Sequence, residues 1–309
     1  TLNQLSEEIY NGEISLDDLN KDTSIKFAQT VDNMNVFSNI DDNLEQYEGL
    51  IYDGAYSDHV NKAEKLGLTG NDISEDDARK KVEDFFGKDD IEKIENNGFI
   101  ENADIPEYDF SVKLKDREEN ISISISKKGG HVIQTETNRE VKDEKISQNE
   151  ANQIGKEYLE TKGFKNMKET YFMKIGNVVT INYAYEDKKN ELNGEGVILY
   201  PDLIKVKVAL DNGEILGIET TGYLNSHTER NYNKINLSLE KAREKLNEKL
   251  QINSERLAII PTEWKTEILC YEFKGKVEDK EFLIYINAEN GKEEDVLVIL
   301  DTPGGTLTM

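Results

Sequence analysis

A single cysteine, Cys270, occurs in the 309 residues, so no disulfide can form within the chain. This suits either a reducing compartment or an extracytoplasmic setting that uses little cysteine. No run of about 18 or more apolar residues exists, which leaves no segment able to cross a bilayer as a helix. The chain starts at Thr1 rather than methionine, and the expectation is a processed chain that has lost an upstream anchor or signal. Positive charge is also scarce: 38 Lys and Arg face 63 Asp and Glu, a net charge of -25. Residues 1–70 hold 14 acids against 4 Lys and no Arg, hence -10, which leaves -15 for the remainder. Such a chain repels a phosphate backbone or an anionic lipid surface, so nucleic-acid and direct membrane binding are excluded as expectations. The three histidines, His59, His131 and His227, sit in separate segments, and none has a His or Cys neighbour at metal-ligand spacing.

Hydrophobic content of 36% beside 33% charged residues is that of a polar globular chain, and the length predicts two to four domains. One pattern occurs three times. Ile204, Val206 and Val208 alternate with wetter residues, and Asn212-Gly213 then supplies the two positive-φ positions of a type I′ hairpin turn before Ile215 and Ile218. Ile121, Ile123 and Ile125 precede Gly129-Gly130 at the same offset, and Phe282, Ile284 and Ile286 precede Asn290-Gly291 likewise. Each hairpin has a helix upstream with a shared opening: Ile73-Ser74 with Ala78, Ile146-Ser147 with Ala151, and Leu237-Ser238 with Ala242.

The fold class predicted is α+β: three tandem modules, each a helix packed on an antiparallel sheet, behind an all-α N-terminal segment. The boundaries expected are 1–70 for the helical segment, then 71–141, 142–225 and 226–309 for the modules. Leu2, Leu5 and Ile9, then Ile25, Ala28 and Val31, then Ile40, Leu44 and Tyr47 carry the helical spacing of the first segment, with a further short helix capped by Ser57 or Asp58 and ending at Leu66. In the modules, Ser74 with Asp77 resembles a capping box, Ser147 with Glu150 completes one, and a third helix is expected over residues 238–250. Strands are expected over 110–114, 170–175, 178–185, 264–273 and 281–286, with 295–300 closing the last hairpin. Each module is expected to hide its own small sheet under its own helix. A single sheet running through residues 71–309 would count against a simple tandem array.

The search for chemistry returns no catalytic, cofactor-binding or metal-binding residue. Ser57, Asp58 and His59 include the residue types of a triad, but adjacent residues rarely face one another productively, and a turn with a helix cap explains them better. Cys270, between Leu269 and Tyr271, reads as a small buried hydrophobe. Asp41-Asp42, residues 72–77 and Glu293 to Asp295 lack the ligand pattern of a calcium loop, and the glycines of residues 302–305 precede no helix that could cradle phosphate.

The Ser-x-x-x-Ala helix followed by an alternating strand and the hairpin of residues 211–217 resembles the PepSY domain, three copies of which would fill residues 71 onward. The longer strings at residues 52–59, 200–208, 217–223 and 300–305 resemble the YpeB family of spore germination proteins. That resemblance implies a non-enzymatic spore protein, held at the inner spore membrane by an upstream anchor this chain lacks. It would sit on the outer side of that membrane or in the cortex, partnered with a cortex-lytic hydrolase of the SleB type and with peptidoglycan as a further contact. It implies no cofactor and no catalytic residue. A protease-inhibitor or propeptide-like role is the alternative, since PepSY modules also resemble parts of protease propeptides.

Overall fold

The computed structural model describes Tyr56 and residues 64–308 apart from 193, 233–234, 263–265 and 303–304. The helical lead-in expected over residues 1–67 therefore lies outside the described residues, except that 64–67 form a bend and a turn rather than a helix end.

Helix α1 (Glu75–Phe86) and a 3-10 turn (Lys88–Asp90) come first. They lead into β1 (Ile91–Ile100), β2 (Glu107–Leu114), β3 (Asn120–Ser126) and β4 (Val132–Thr137). Helix α2 (Gln148–Thr161) then precedes β5 (Met167–Ile175), β6 (Val178–Leu192), β7 (Glu195–Ala209) and β8 (Ile215–Glu219). Two short helices, α3 (Thr221–Ser226) and α4 (Leu239–Arg243), lead to β9 (Gln251–Pro261), β10 (Glu267–Val277), β11 (Lys280–Asn287), β12 (Glu293–Thr302) and β13 (Gly305–Thr308). The described residues are thus mixed α+β, with much sheet and few helices.

The three hairpins and helix openings read from the sequence share one local construction. Ser74, Ser147 and Ser238 cap their helices, each side chain accepting from the backbone N–H three residues on. Glu150 reaches back to the Ser147 backbone, whereas the shorter Asp77 accepts from the Ser74 hydroxyl and from Lys80. The residue before each cap is strapped to the following hairpin: Ile73 N–H donates to Lys127 O, Ile146 to Leu210 O and Leu237 to Ala288 O, at 2.8 to 3.0 Å. Ala78, Ala151 and Ala242 are all fully buried, each within the core cluster under its helix.

Two local expectations need correction. Gly213 takes φ +79° and Gly291 +75°, but Asn212 and Asn290 are not left-handed, so these loops are not type I′ turns. Each asparagine instead uses its side-chain oxygen to accept the N–H two residues on, Glu214 at 2.9 Å and Lys292 at 2.8 Å. Only Gly129-Gly130, where both residues have positive φ, matches the expectation. The helix expected over 238–250 stops at Arg243, because Asn247 accepts the Lys249 N–H and the chain turns into β9. Leu246 and Leu250 still pack on the core from those turns.

The larger correction concerns the sheet. It is not three separate sheets but one hydrogen-bonded order, β1-β2-β3-β4-β8-β7-β6-β5-β13-β12-β11-β10-β9, with β9 also pairing back onto β7. β4 joins β8 through Gln134 to Glu136, β5 meets β13 at Met173 and Gly305, and β7 runs parallel to β9 at Ile198 and Leu199. Strands β5 to β7 and β9 to β13 therefore form a closed ring. Its interior holds Ile198, Tyr200, Ala258, Cys270, Leu283 and Tyr285. The alternate residues Val197, Leu199, Leu257, Tyr271, Phe273 and Ile284 face outward under α4. Strands buried on both faces read as unbroken apolar runs, which is why residues 197–200, 257–260 and 283–286 show no polar alternation. Helix α2 covers Val179, Ile181, Tyr183 and Val206, and α1 covers Phe110, Val112, Ile121 and Ile123.

Gly155, within α2, marks how closely that helix lies on the sheet. A Cβ at this position would stand 2.5 Å from the Tyr183 hydroxyl, which itself donates to Asn152 O at 2.8 Å. Gly155→Val is expected to cost about 1–3 kcal/mol by forcing helix and sheet apart, read as a lower urea midpoint at unchanged slope.

Candidate functional site

Residues 226–232 leave α3 and are sewn between the strands by buried charge. Asp202, on β7, is completely buried and accepts Arg230 Nη2 at 2.6 Å and Nη1 at 3.0 Å. The guanidinium also donates from Nε and Nη2 to Glu267 of β10, at 2.8 and 3.0 Å, and to the Ser226 carbonyl at 3.1 Å. Burial opposes its charge, but Glu267 and Asp202 outweigh burial and raise the Arg230 pKa. Tyr232 anchors the same segment by donating to Asp187 Oδ2 at 2.8 Å. This clasp ties β7 to β10, the two strands that flank β9 in the ring.

His227 completes the clasp, with Nδ1 2.7 Å from Asp202 Oδ2, its ring stacked on Tyr223 at 4.1 Å and edge-on to Tyr185 at 4.8 Å. A buried carboxylate orienting an imidazole is half of a general-base arrangement. Among the described residues no hydroxyl or thiol is hydrogen-bonded to His227, and Asp202 also serves Arg230. His227 is thus half-buried and fully engaged rather than a bare loop histidine, and nothing in its local sequence signals this.

A second buried network lies inside the ring. Tyr200 donates to Glu272 Oε2 at 2.6 Å, and Arg256 donates from Nε to Glu272 Oε1 at 2.6 Å and from Nη2 to the Tyr200 hydroxyl at 2.9 Å. Tyr56 enters from outside, its ring edge-on to Tyr200 and Tyr285 at 5.4 Å each and its hydroxyl donating to Asp295 at 2.8 Å.

The remaining sequence candidates resolve as follows. Ser57, Asp58, His59, Asp41 and Asp42 lie outside the described residues. His131 Nε2 contacts Thr69 O at 2.8 Å. Cys270 is fully buried in the ring, and burial, with Glu294 and Asp295 adding to it, pushes its thiol pKa well up, away from the thiolate form. Glu75, Asp76 and Asp77 open α1, Asp72 bridges to Lys128 and pairs with Lys127, Glu294 accepts from Asn287 and Lys292, and Asp295 serves Tyr56. Thr302 and Gly305 face each other as the ends of the β12–β13 turn. Among the described residues, no group of three His, Cys, Asp or Glu has metal-holding geometry, and no helix is long and apolar enough to cross a membrane.

What the fold leaves open is an edge. β4, β7 and β8 are taken up in joining the sheet, while β1 ends the strand order and, among the described residues, pairs along one side only, with β2. It is a managed edge, with register shifts after Ile91 and after Asn96 and with a Lys93–Glu95 ion pair. Its far end is apolar: Phe99 and Ile100 are 40% and 46% exposed, and the Phe99 ring leans on Tyr108 at 5.0 Å with Lys127 Nζ 5.5 Å above it.

Helices capped alike, strapped to glycine-bearing hairpins and laid on antiparallel sheet define a PepSY-containing protein. Residues 34–233 match the family described as YpeB sporulation, PepSY1 and PepSY2 domains, and residues 236–297 match the peptidase propeptide and YPEB domain. The chain belongs to the YpeB family of sporulation proteins. It is 36% identical over 235 residues to the sporulation protein YpeB of Bacillus subtilis, covering 74% of this chain and 50% of that one. Against the YpeB proteins of Oceanobacillus iheyensis and Halalkalibacterium halodurans it is 34% and 32% identical, over 74% and 78% of this chain and 49% and 52% of theirs. The chain thus spans about half the length of the curated relatives it matches. The Bacillus megaterium YpeB C-terminal domain superposes with a TM-score of 0.65 at 28% identity, covering 75% of this chain and all of that one.

Proposed function

We propose that this chain is a non-enzymatic regulator of spore germination that binds, and so stabilises or restrains, a cortex-lytic peptidoglycan hydrolase of the SleB type. Family membership supports the setting, and the observation that carries the mode of action is the open β1 edge with its apolar end. A strand paired on one side offers a row of backbone donors and acceptors to an extended segment of a partner, and Phe99 and Ile100 give that segment an apolar seat. In this reading residues 71–141, 142–225 and 226–309 are three PepSY modules that together stiffen one binding edge. The chain works on the outer side of the inner spore membrane or in the cortex, tethered through an upstream anchor and touching peptidoglycan but no nucleic acid.

The test is a pull-down of the hydrolase with this chain, followed by hydrogen exchange on the complex. Slowed exchange in residues 91–100 is expected; capture without any change there would remove the edge from the account. In spores, deleting residues 71–309 is expected to abolish retention of the hydrolase while its purified activity on cortex stays the same. Full retention would end the proposal.

The description of the family matched by residues 236–297, a peptidase propeptide domain, favours one second reading, inhibition of a peptidase. Titrating metalloproteases with the purified chain separates the two. Inhibition at about micromolar concentration would favour the second.

A further inference from the structure

The 63 acids of this chain leave few surfaces free of carboxylate, and a cleft beside α3 is one of them. It encloses about 390 Å³ between the first two helix-covered stretches of sheet. Phe85, Phe164, Tyr223 and Val132 supply its apolar wall, and Lys162, His131 and His227 supply every titratable group on it apart from the Tyr223 phenol. Two other clefts differ on this point. One includes Glu267 and Glu289 in its wall, the other Glu195 and Glu255.

Lys162 is the telling residue. It sits at the C-terminal end of α2, half-buried, with its ammonium 2.5 Å from the Phe85 carbonyl, 4.1 Å from the centre of the Phe85 ring and 5.4 Å from that of Tyr158. Among the described residues it has no carboxylate partner, although most other lysines on this acidic surface find one. Burial lowers its pKa, the mark of a cation stripped of water without an anion in exchange. Both imidazoles are engaged elsewhere: His131 contacts the Thr69 carbonyl, and His227 Nδ1 faces Asp202. An aromatic wall with one ammonium held by a carbonyl and two ring faces but, among the described residues, by no anion fits a ligand with an apolar body and a single negative group.

We infer that this cleft binds the carboxylate of a small apolar acid, with the carboxylate on Lys162 Nζ and the apolar body against Phe164 and Tyr223. The acid is either a free acylated amino acid or the C-terminal residue of a peptide, and both present the same group.

The experiment uses the whole chain, labelled with ¹⁵N and titrated with N-acetyl-L-phenylalanine, with its neutral amide, and with Ala-Ala-Phe bearing a free or an amidated C-terminus. Saturable shifts are expected at residues 67–69, 85, 131–132, 162–164 and 223–227 for the acids. The amides are expected to bind about tenfold more weakly, the loss of one charge-assisted hydrogen bond. Lys162→Met, with the rest of its spectrum unchanged, is expected to reduce the acids to the level of the amides, and Lys162→Arg to keep the preference. If the peptide acid alone binds, the natural ligand is a chain end; if both acids bind, a free acid suffices. Equal binding of acid and amide, shifts outside these residues, or an acid preference that survives Lys162→Met would each overturn the assignment. So would failure of both acids to saturate at millimolar concentration. If Lys162→Met does not fold, equal acid and amide preference in Lys162→Arg overturns it instead.

Discussion

Arg230→Ala is expected to lower the unfolding free energy by about 3–5 kcal/mol, the cost of stripping one partner from a buried charge pair. Arg230 is 7% exposed, and Asp202 beneath it is not exposed at all. Removing the guanidinium leaves the Asp202 carboxylate desolvated and facing Glu267 with nothing between them. An exposed pair of the same geometry would contribute only about 0–1 kcal/mol, so the size of the loss distinguishes a buried clasp from surface decoration. Urea unfolding followed by far-ultraviolet circular dichroism reads it, and a loss below about 1 kcal/mol would contradict the clasp. Arg230→Lys is expected to recover only part, since an ammonium cannot serve two carboxylates and a carbonyl in one plane.

The network inside the ring predicts a loss of similar size with a different remedy. Glu272 is 3% exposed and depends on Arg256 for one oxygen and Tyr200 for the other. Arg256→Met is expected to cost about 3–5 kcal/mol because it leaves the glutamate buried without a cation. Burial opposes the Arg256 charge, and Glu272, then Tyr200 and Tyr285, more than restore it, which raises its pKa. Adding Glu272→Leu to Arg256→Met is expected to recover more than half of the loss, since an apolar pair of similar volume has no charge to desolvate. A double-mutant cycle measures this directly, and strict additivity of the two changes would show that the side chains act independently.

A smaller effect follows from the loop beyond β7, where Arg139 donates two bonds to Asp211, at 2.7 and 2.8 Å. These bonds hold the Asp211 carboxyl below the usual carboxylate range. A depressed folded-state pKa gives stability that is complete above the unfolded value, about 3.9, and fades as pH falls through the folded one. Arg139→Gln is therefore expected to be less stable than the parent at pH 7, and the gap is expected to close as the pH falls through the depressed folded-state pKa of Asp211. A gap of constant size across that range would assign the effect to packing instead.

Where alternation and turn chemistry agreed, the sequence was legible: β3, β8 and β11 lie where Ile121, Ile215 and Ile284 indicated. The capping serines and the buried alanines behind them were equally plain. β1 was not, because an edge strand carrying Glu92, Lys93, Glu95, Asn96 and Asn97 buries only Ile94 fully and has no apolar alternation to read. β9 was hidden by the helix-like run before it, whose leucines serve the core from turns. The joining of the sheets left no trace in residue types, since backbone pairing between β4 and β8 or β7 and β9 needs only strands of suitable length. The two charge networks were illegible for another reason. Asp202 with Arg230 and Arg256 with Glu272 are ordinary charged residues until the fold removes their water.

The meeting of β13 with β5 has a consequence for the order of assembly. Met173 waits for Gly305, which leaves the ribosome long after β6 and β7 have emerged. A contact spanning so much sequence forms slowly, because the loop it closes must first lose its freedom. During synthesis the β5 margin is therefore bare, and a nascent chain halted before residue 305 would be the species most exposed to proteases and to mispairing with its neighbours.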